Sequence, residues 1–160
     1  MNRIAHKGEQ KWSRASLRIS GDTLRPDQVS ALLGLEATQS GVKGELFSNR
    51  HSAVRRTSFW ILQSPLSESL PVEEHLQWLL NLIEPKVEFI GSLAEKWRVD
   101  FFCGFSSGNG QGGTIFDPIL LRRLAHLGIP LVLDLYPPGA PLEIDEALPL
   151  ANHDDSSPAS

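Results

Sequence analysis

Gly108-Asn109-Gly110-Gln111-Gly112-Gly113 is the stretch whose spacing comes nearest to a chemical motif. It matches G-x-G-x-x-G, the turn that lets backbone N–H groups approach a pyrophosphate, and Asp134 lies about twenty residues on, where a ribose-binding acid would stand. In a dinucleotide fold the third glycine sits inside the following helix. Here Thr114-Ile115-Phe116 come between the glycines and Asp117, the residue placed to cap that helix. Only one strand-like run follows. These features favour a flexible or hairpin-like polar loop over a nucleotide cradle. The histidines, at 6, 51, 75, 126 and 153, show no metal-ligand spacing. His75 and His126 fall on helical stretches, where they are expected as partly exposed partners of nearby acids. Cys103 alternates with Val99, Phe101 and Phe105, which marks it as a small core residue rather than a nucleophile. Ser20, Ser58 and Ser64 belong to no G-x-S-x-G elbow. No catalytic residue, cofactor or metal is assigned.

More is carried by the two faces of the expected strands. Leu17, Ile19, Phe101, Cys103, Phe105, Leu131, Leu133 and Leu135 share one side, which helices can cover. The other side collects Arg18, Ser20, Asp100, Phe102, Asp134 and Tyr136, with Trp60 or Phe59 added. Such a side is either a solvent face with cross-strand ion pairs, Arg18 with Asp100 or Asp134, or a binding surface. With Arg55, Arg56 and Asn109 from the adjoining loops, Arg18, Trp60, Asp100, Phe102, Asp134 and Tyr136 form the candidate interaction surface. RNA-binding sheets also display aromatics, but they favour cations over two aspartates, which argues against nucleic acid.

The elements that must position these residues are strands 17–20, 58–63, 99–105 and 131–136, with helices opened by Pro26 and by Asp117-Pro118. The 58–63 run, Ser-Phe-Trp-Ile-Leu-Gln, is expected to be buried on both faces. Pro71–Trp97 carries a helical stripe, Val72, Leu76, Leu79, Leu80, Ile83, Val87, Ile90, Ala94 and Trp97. Pro85 interrupts it at a cost of about 3 kcal/mol to a continuous helix, so a kink or a division at Glu84-Pro85 is expected. Residues 39–57 are expected as a long loop with short strand pieces. The expected layout is a mobile arm over 1–14, one α+β domain over 15–138, and an acidic, proline-containing disordered tail over 139–160.

The 160 residues carry a net charge of −4, split unevenly. Residues 1–60 hold ten Lys/Arg against five Asp/Glu, and 61–160 hold five against fourteen. One cysteine excludes an intrachain disulfide and a cysteine-based zinc cluster. No apolar run suggests a signal peptide or a membrane span, so a cytoplasmic location is expected.

Leu17-Arg18-Ile19-Ser20-Gly21-Asp22, then Pro26, then Leu32-Leu33-Gly34-Leu35-Glu36-Ala37-Thr38, resembles the opening of the bacterial domain-of-unknown-function 4279 family. Lys43-Gly44, the Trp60 strand, His75-Leu76 with Leu79-Leu80, and Leu124-Ala125-His126-Leu127-Gly128 with Asp134-Leu135-Tyr136 fit the same outline, over about residues 15–137. Ala37 stands where members tend to have proline. The resemblance implies no activity and transfers no catalytic residue.

The fold expected is a two-layer α+β sandwich: a four-stranded, mainly antiparallel, ferredoxin-like sheet with helices on one face. A small parallel α/β sheet is the alternative, since strands and helices alternate. The function expected is a non-enzymatic, cytosolic protein-binding module of the toxin-neutralising (immunity) kind. The alternative is a small-molecule-binding protein or enzyme walled by the 39–57 and 106–113 loops.

Overall fold

A computed structural model describes residues 11–47, 50–108 and 111–137. Strand β1, Trp12–Gly21, alternates side chains across its whole length and begins inside the stretch expected as an arm. Helix α1, Pro26–Leu33, starts with a proline whose missing N–H no helical bond requires, and stops at Gly34. Gly34 has φ 63°, a left-handed turn that glycine takes without a Cβ clash. The 39–57 region holds three short strands: β2, Gln39–Gly41, β3, Leu46–Phe47, and β4, Arg50–Val54. β3 and β4 pair with each other as a separate two-stranded sheet. β5, Ser58–Gln63, alternates buried and half-buried residues, so it is buried on one face and not on both.

Helix α2, Val72–Ile83, is followed by a 3₁₀ turn at Glu84–Lys86 and helix α3, Val87–Ala94. Pro85 lies in the turn, where its missing donor interrupts the ladder between the helices. The stripe keeps its core side across the turn through Val87, Ile90 and Trp97, with Leu93 rather than Ala94 turned inward. Val72, Leu76, Leu79, Leu80 and Ile83 are buried before the turn, and Ile90 and Leu93 after it, leaving Ala94 exposed. β6, Arg98–Ser106, is followed by helix α4, Pro118–Leu127, capped by Asp117 Oδ1 accepting from Leu120 N at 2.8 Å. β7, Leu131–Tyr136, ends the described fold.

The main sheet has five strands in the order β2-β5-β1-β6-β7, one more than expected because β2 joins β5 at the edge. β1 runs antiparallel to both β5 and β6, so the connection from β5 through α2 and α3 to β6 steps over it. β6 and β7 are parallel, joined by α4. The sheet is therefore mixed and mostly antiparallel. Leu17, Ile19, Trp60, Leu62, Val99, Phe101 and Cys103 form its buried face beneath Val29, Leu33, Leu76, Leu79, Leu80, Ile90, Leu120, Leu124 and Leu127 of the helices. Each such aliphatic side chain contributes roughly 1.5–3 kcal/mol by leaving water. Leu133 and Leu135 were expected under this layer but are exposed, because both lie on the edge strand.

Candidate functional site

Strand alternation puts Arg14, Arg18, Ile61, Phe59, Arg98, Asp100, Phe102, Asp134 and Tyr136 on the face opposite the core, where no described helix packs. At its centre Arg18 meets Asp100 across the β1–β6 ladder. Arg18 Nε donates to Asp100 Oδ1 at 2.8 Å and its Nη2 to Oδ2 at 3.1 Å, a two-pronged pair. Arg98 Nε adds a third donor to Oδ2 at 3.3 Å. The Arg18 guanidinium also lies 4.0 Å from the Phe102 ring centroid. Both partners are buried, although no described helix covers them. On the inner strands β1 and β6, the Phe102 ring lies against Arg18 and Arg98 against Asp100.

Toward β7, Trp12 and Tyr136 make a tilted ring contact, with centroids 4.8 Å apart and planes inclined at 53°. Gly104 lies beneath both: a Cβ there would stand 3.2 Å from Tyr136 Cε2 and 3.4 Å from Trp12 Cζ3. Toward β2, the Arg55 guanidinium lies over Phe47 and Phe59, 4.8 and 5.1 Å from their centroids. It also packs on Gly41, where a Cβ would come within 2.7 Å of Arg55 Nε. Arg14 pairs with Glu68 at 2.9 Å near the Trp12 end.

Of the residues singled out from the sequence, Arg18, Asp100, Phe102, Asp134, Tyr136 and Arg55 therefore share one face. Arg56 is exposed beside it. Asn109 lies outside the described residues, as do Gly110 and the 138–160 segment. Trp60 stands on the other face: it is fully buried, and its Nε1 donates to Ser30 Oγ at 2.9 Å on α1. Its place on the strand is taken by Phe59. Sequence reasoning passed over Trp12 and Arg14, which a ten-residue β1 brings onto the face. Their alternation with Ser16 and Arg18 was the available signal.

The reactive groups lie elsewhere. Cys103 is in the core, and burial pushes its thiol up to about 12. That leaves a negligible thiolate fraction at neutral pH. His75 is buried rather than partly exposed, with Nδ1 3.1 Å from Ser64 Oγ. Desolvation lowers its pKa, against the raising influence of the Leu70 and Ser67 carbonyls and of Glu68 and Glu74. His126 is exposed on α4. Among the described residues no group of three or more His, Cys, Asp or Glu is placed to hold a metal ion. No described helix is long and apolar enough to cross a membrane.

The two loops weighed as walls of a small-molecule site are far apart. Gly21 pairs with Ser58, so the 42–57 connection leaves the sheet at the end of β1, whereas Trp12 pairs with Ser106, so the 107–117 connection leaves at its start. β1 has ten residues, which sets these ends about 30 Å apart at roughly 3.3 Å per residue. Thr114 moreover hydrogen-bonds Glu73 on the helix side.

The fold is thus an α+β domain with one helix layer and one decorated sheet face. The sequence matches a domain of unknown function (DUF4279) over residues 10–138, and the chain belongs to that family. No curated protein and no solved structure matches it.

Proposed function

We propose that this chain is a non-enzymatic protein-binding module, bacterial and cytoplasmic, of the toxin-neutralising kind, and that it engages its partner through the helix-free sheet face. One observation carries the proposal: that face presents Trp12, Tyr136, Phe102, Phe59, Arg14, Arg55 and Arg98 side by side. Trp, Tyr and Arg are the residue types that dominate binding hot spots, because they bury large area and still offer directed hydrogen bonds. The Arg18–Asp100 pair beneath them gives a rigid floor, so little ordering entropy is lost on docking.

Arg14, Arg18, Arg55 and Arg98 outnumber Asp100, Asp134 and Glu68 around this face, in a chain whose net charge is −4. A partner with an acidic, aromatic-accepting surface suits it best, and the interspersed carboxylates support protein over nucleic acid. The step from β5 to β6 over β1 also supports a ferredoxin-like sandwich, extended by β2 and the parallel β7.

The test takes a toxin encoded beside this chain's gene as bait. Coexpression of the native chain is expected to restore growth, and Arg98→Glu with Tyr136→Ala to abolish rescue while the variant stays folded by circular dichroism. Full rescue by that double variant would overturn the assignment of the face.

A further inference from the structure

We infer that the outer edge of β7 is a self-association surface, at which Leu131–Leu135 pairs antiparallel with the same strand of a second copy, centred on Leu133. The two edges of the sheet differ in kind. β2 is three residues long and is followed directly by Val42 and Lys43. β7 is six residues, Leu-Val-Leu-Asp-Leu-Tyr, bounded by Pro130 and Pro137 and carrying Asp134, but between them its backbone donors are intact over a longer run than on β2.

The backbone phase of β7 follows from its parallel ladder with β6. Phe101 N donates to Pro130 O at 2.9 Å, and Phe101 lies opposite Leu131. In a parallel pair, alternate residues turn both N–H and C=O toward the neighbouring strand. Pro130, Val132, Asp134 and Tyr136 therefore face β6, and Leu131, Leu133 and Leu135 present their backbone groups outward. The same three side chains lie on the helix side of the sheet, where Leu133 is 47% and Leu135 67% exposed. Arg123 of α4 reaches inward to Glu84 and Asn81. Leu121, two positions earlier, is about 160° away around the helix at ~100° per residue, which turns it away from α2. It is 48% exposed.

The charges choose the occupant and the register. Centring the pairing on Leu133 places Leu131 opposite Leu135 of the second copy, Leu133 opposite its own equivalent, and Val132 opposite Asp134. Every outward residue then meets an outward residue, each pair exchanging both N–H···O bonds, and the leucines form one apolar ladder. Centring on Asp134 would set two carboxylates face to face, and centring on Val132 would leave Leu135 beyond the partner strand. A second copy thus supplies the matching leucines without opposing acids, in the self-complementary manner of a two-fold interface. The two sheets become one, with both Arg- and aromatic-bearing faces on the same side.

The test is sedimentation equilibrium of the full 160-residue chain over a dilution series. A species of twice 17.7 kDa is expected. Leu133→Lys sets like charges opposite each other and is expected to raise the dissociation constant by at least ~100-fold. Val132→Lys sets a cation opposite Asp134 and keeps the dimer, whereas Val132→Asp weakens it. A monomeric native chain overturns the inference, and protected β7 amides in that monomer would assign the edge to the chain's own residues after Pro137. A dimer indifferent to Leu133→Lys, or equally sensitive to both Val132 variants, overturns it too.

Discussion

Arg18 and Asp100 decide how the helix-free face is held. A two-pronged pair on inner strands, with Arg98 as a further donor, leaves neither charge unanswered although both are buried. Removing one partner strands the other, so Asp100→Ala is expected to cost about 3 kcal/mol in urea unfolding, and Arg18→Met combined with Asp100→Leu to recover most of that. A single variant with no measurable loss would contradict this. Gly104→Ala inserts a methyl 3.2 Å from Tyr136 Cε2, so the Tyr136 ring must give by a few tenths of an ångström against Trp12, read as a shift in tryptophan emission. Cys103, with its thiol raised to about 12 and fully buried, is expected to resist alkylation at pH 8 until the chain is unfolded. Fast native labelling would rule out that burial. The sequence made Cys103 legible because its alternation with Phe101 and Phe105 is unambiguous. Trp60 was not legible: the four middle residues of Ser58–Gln63, Phe59 to Leu62, are all apolar and give no contrast to choose a face, and only the pairing of Ile19 with Trp60 settles it.

At the scale of elements, the 71–97 segment shows how far periodicity reaches. Its apolar spacing and Pro85 together indicated two helical pieces, and the structure has them. Beyond Pro85, Val87, Ile90 and Trp97 of the expected stripe pack on the core, and only Ala94 does not, Leu93 being buried in its stead. The fifth strand was missed altogether. β2 is Gln-Ser-Gly, without apolar alternation, and it exists because β5 offers an edge to pair with. The junction of α2, the turn and α4 is tied by Arg123 to Glu84, with both side chains partly exposed. Arg123→Ala is therefore expected to cost less than about 1 kcal/mol, and that cost to shrink further in high salt. A larger, salt-independent loss would mean that the arginine's stem, rather than its charge, does the packing.

For the whole molecule, the buried histidine and the paired acids pull stability in the same direction. His75 has a folded-state pKa below its ordinary 6.5, chiefly from desolvation, so the unfolded chain binds the extra proton first. Stability contributed by neutral His75 is present above pH 6.5 and declines as pH falls through and below it. Glu84 is held below its ordinary 4.5 by the Arg123 hydrogen bond, so its contribution is present above that pH and is lost on further acidification. The melting temperature is expected to fall from pH 7 to pH 5, and His75→Gln to flatten that first decline. An unchanged slope in the variant would remove His75 as its cause. Function was the least legible level. Alternation placed Arg18, Asp100, Phe102, Asp134 and Tyr136 on one side; the same alternation runs back through Ser16 and Arg14 to Trp12, but the expectation of an arm over 1–14 hid that β1 carries Arg14 and the Trp12–Tyr136 contact onto the same face. The most direct measurement of that face's role is titration of the toxin bait against purified native chain, Arg98→Glu/Tyr136→Ala, and the helix-side control Arg122→Glu. Binding is expected to drop at least ~10-fold for the face variant alone, as loss of hot-spot residues should produce. Native affinity in the face variant, or an equal drop in Arg122→Glu, would contradict it.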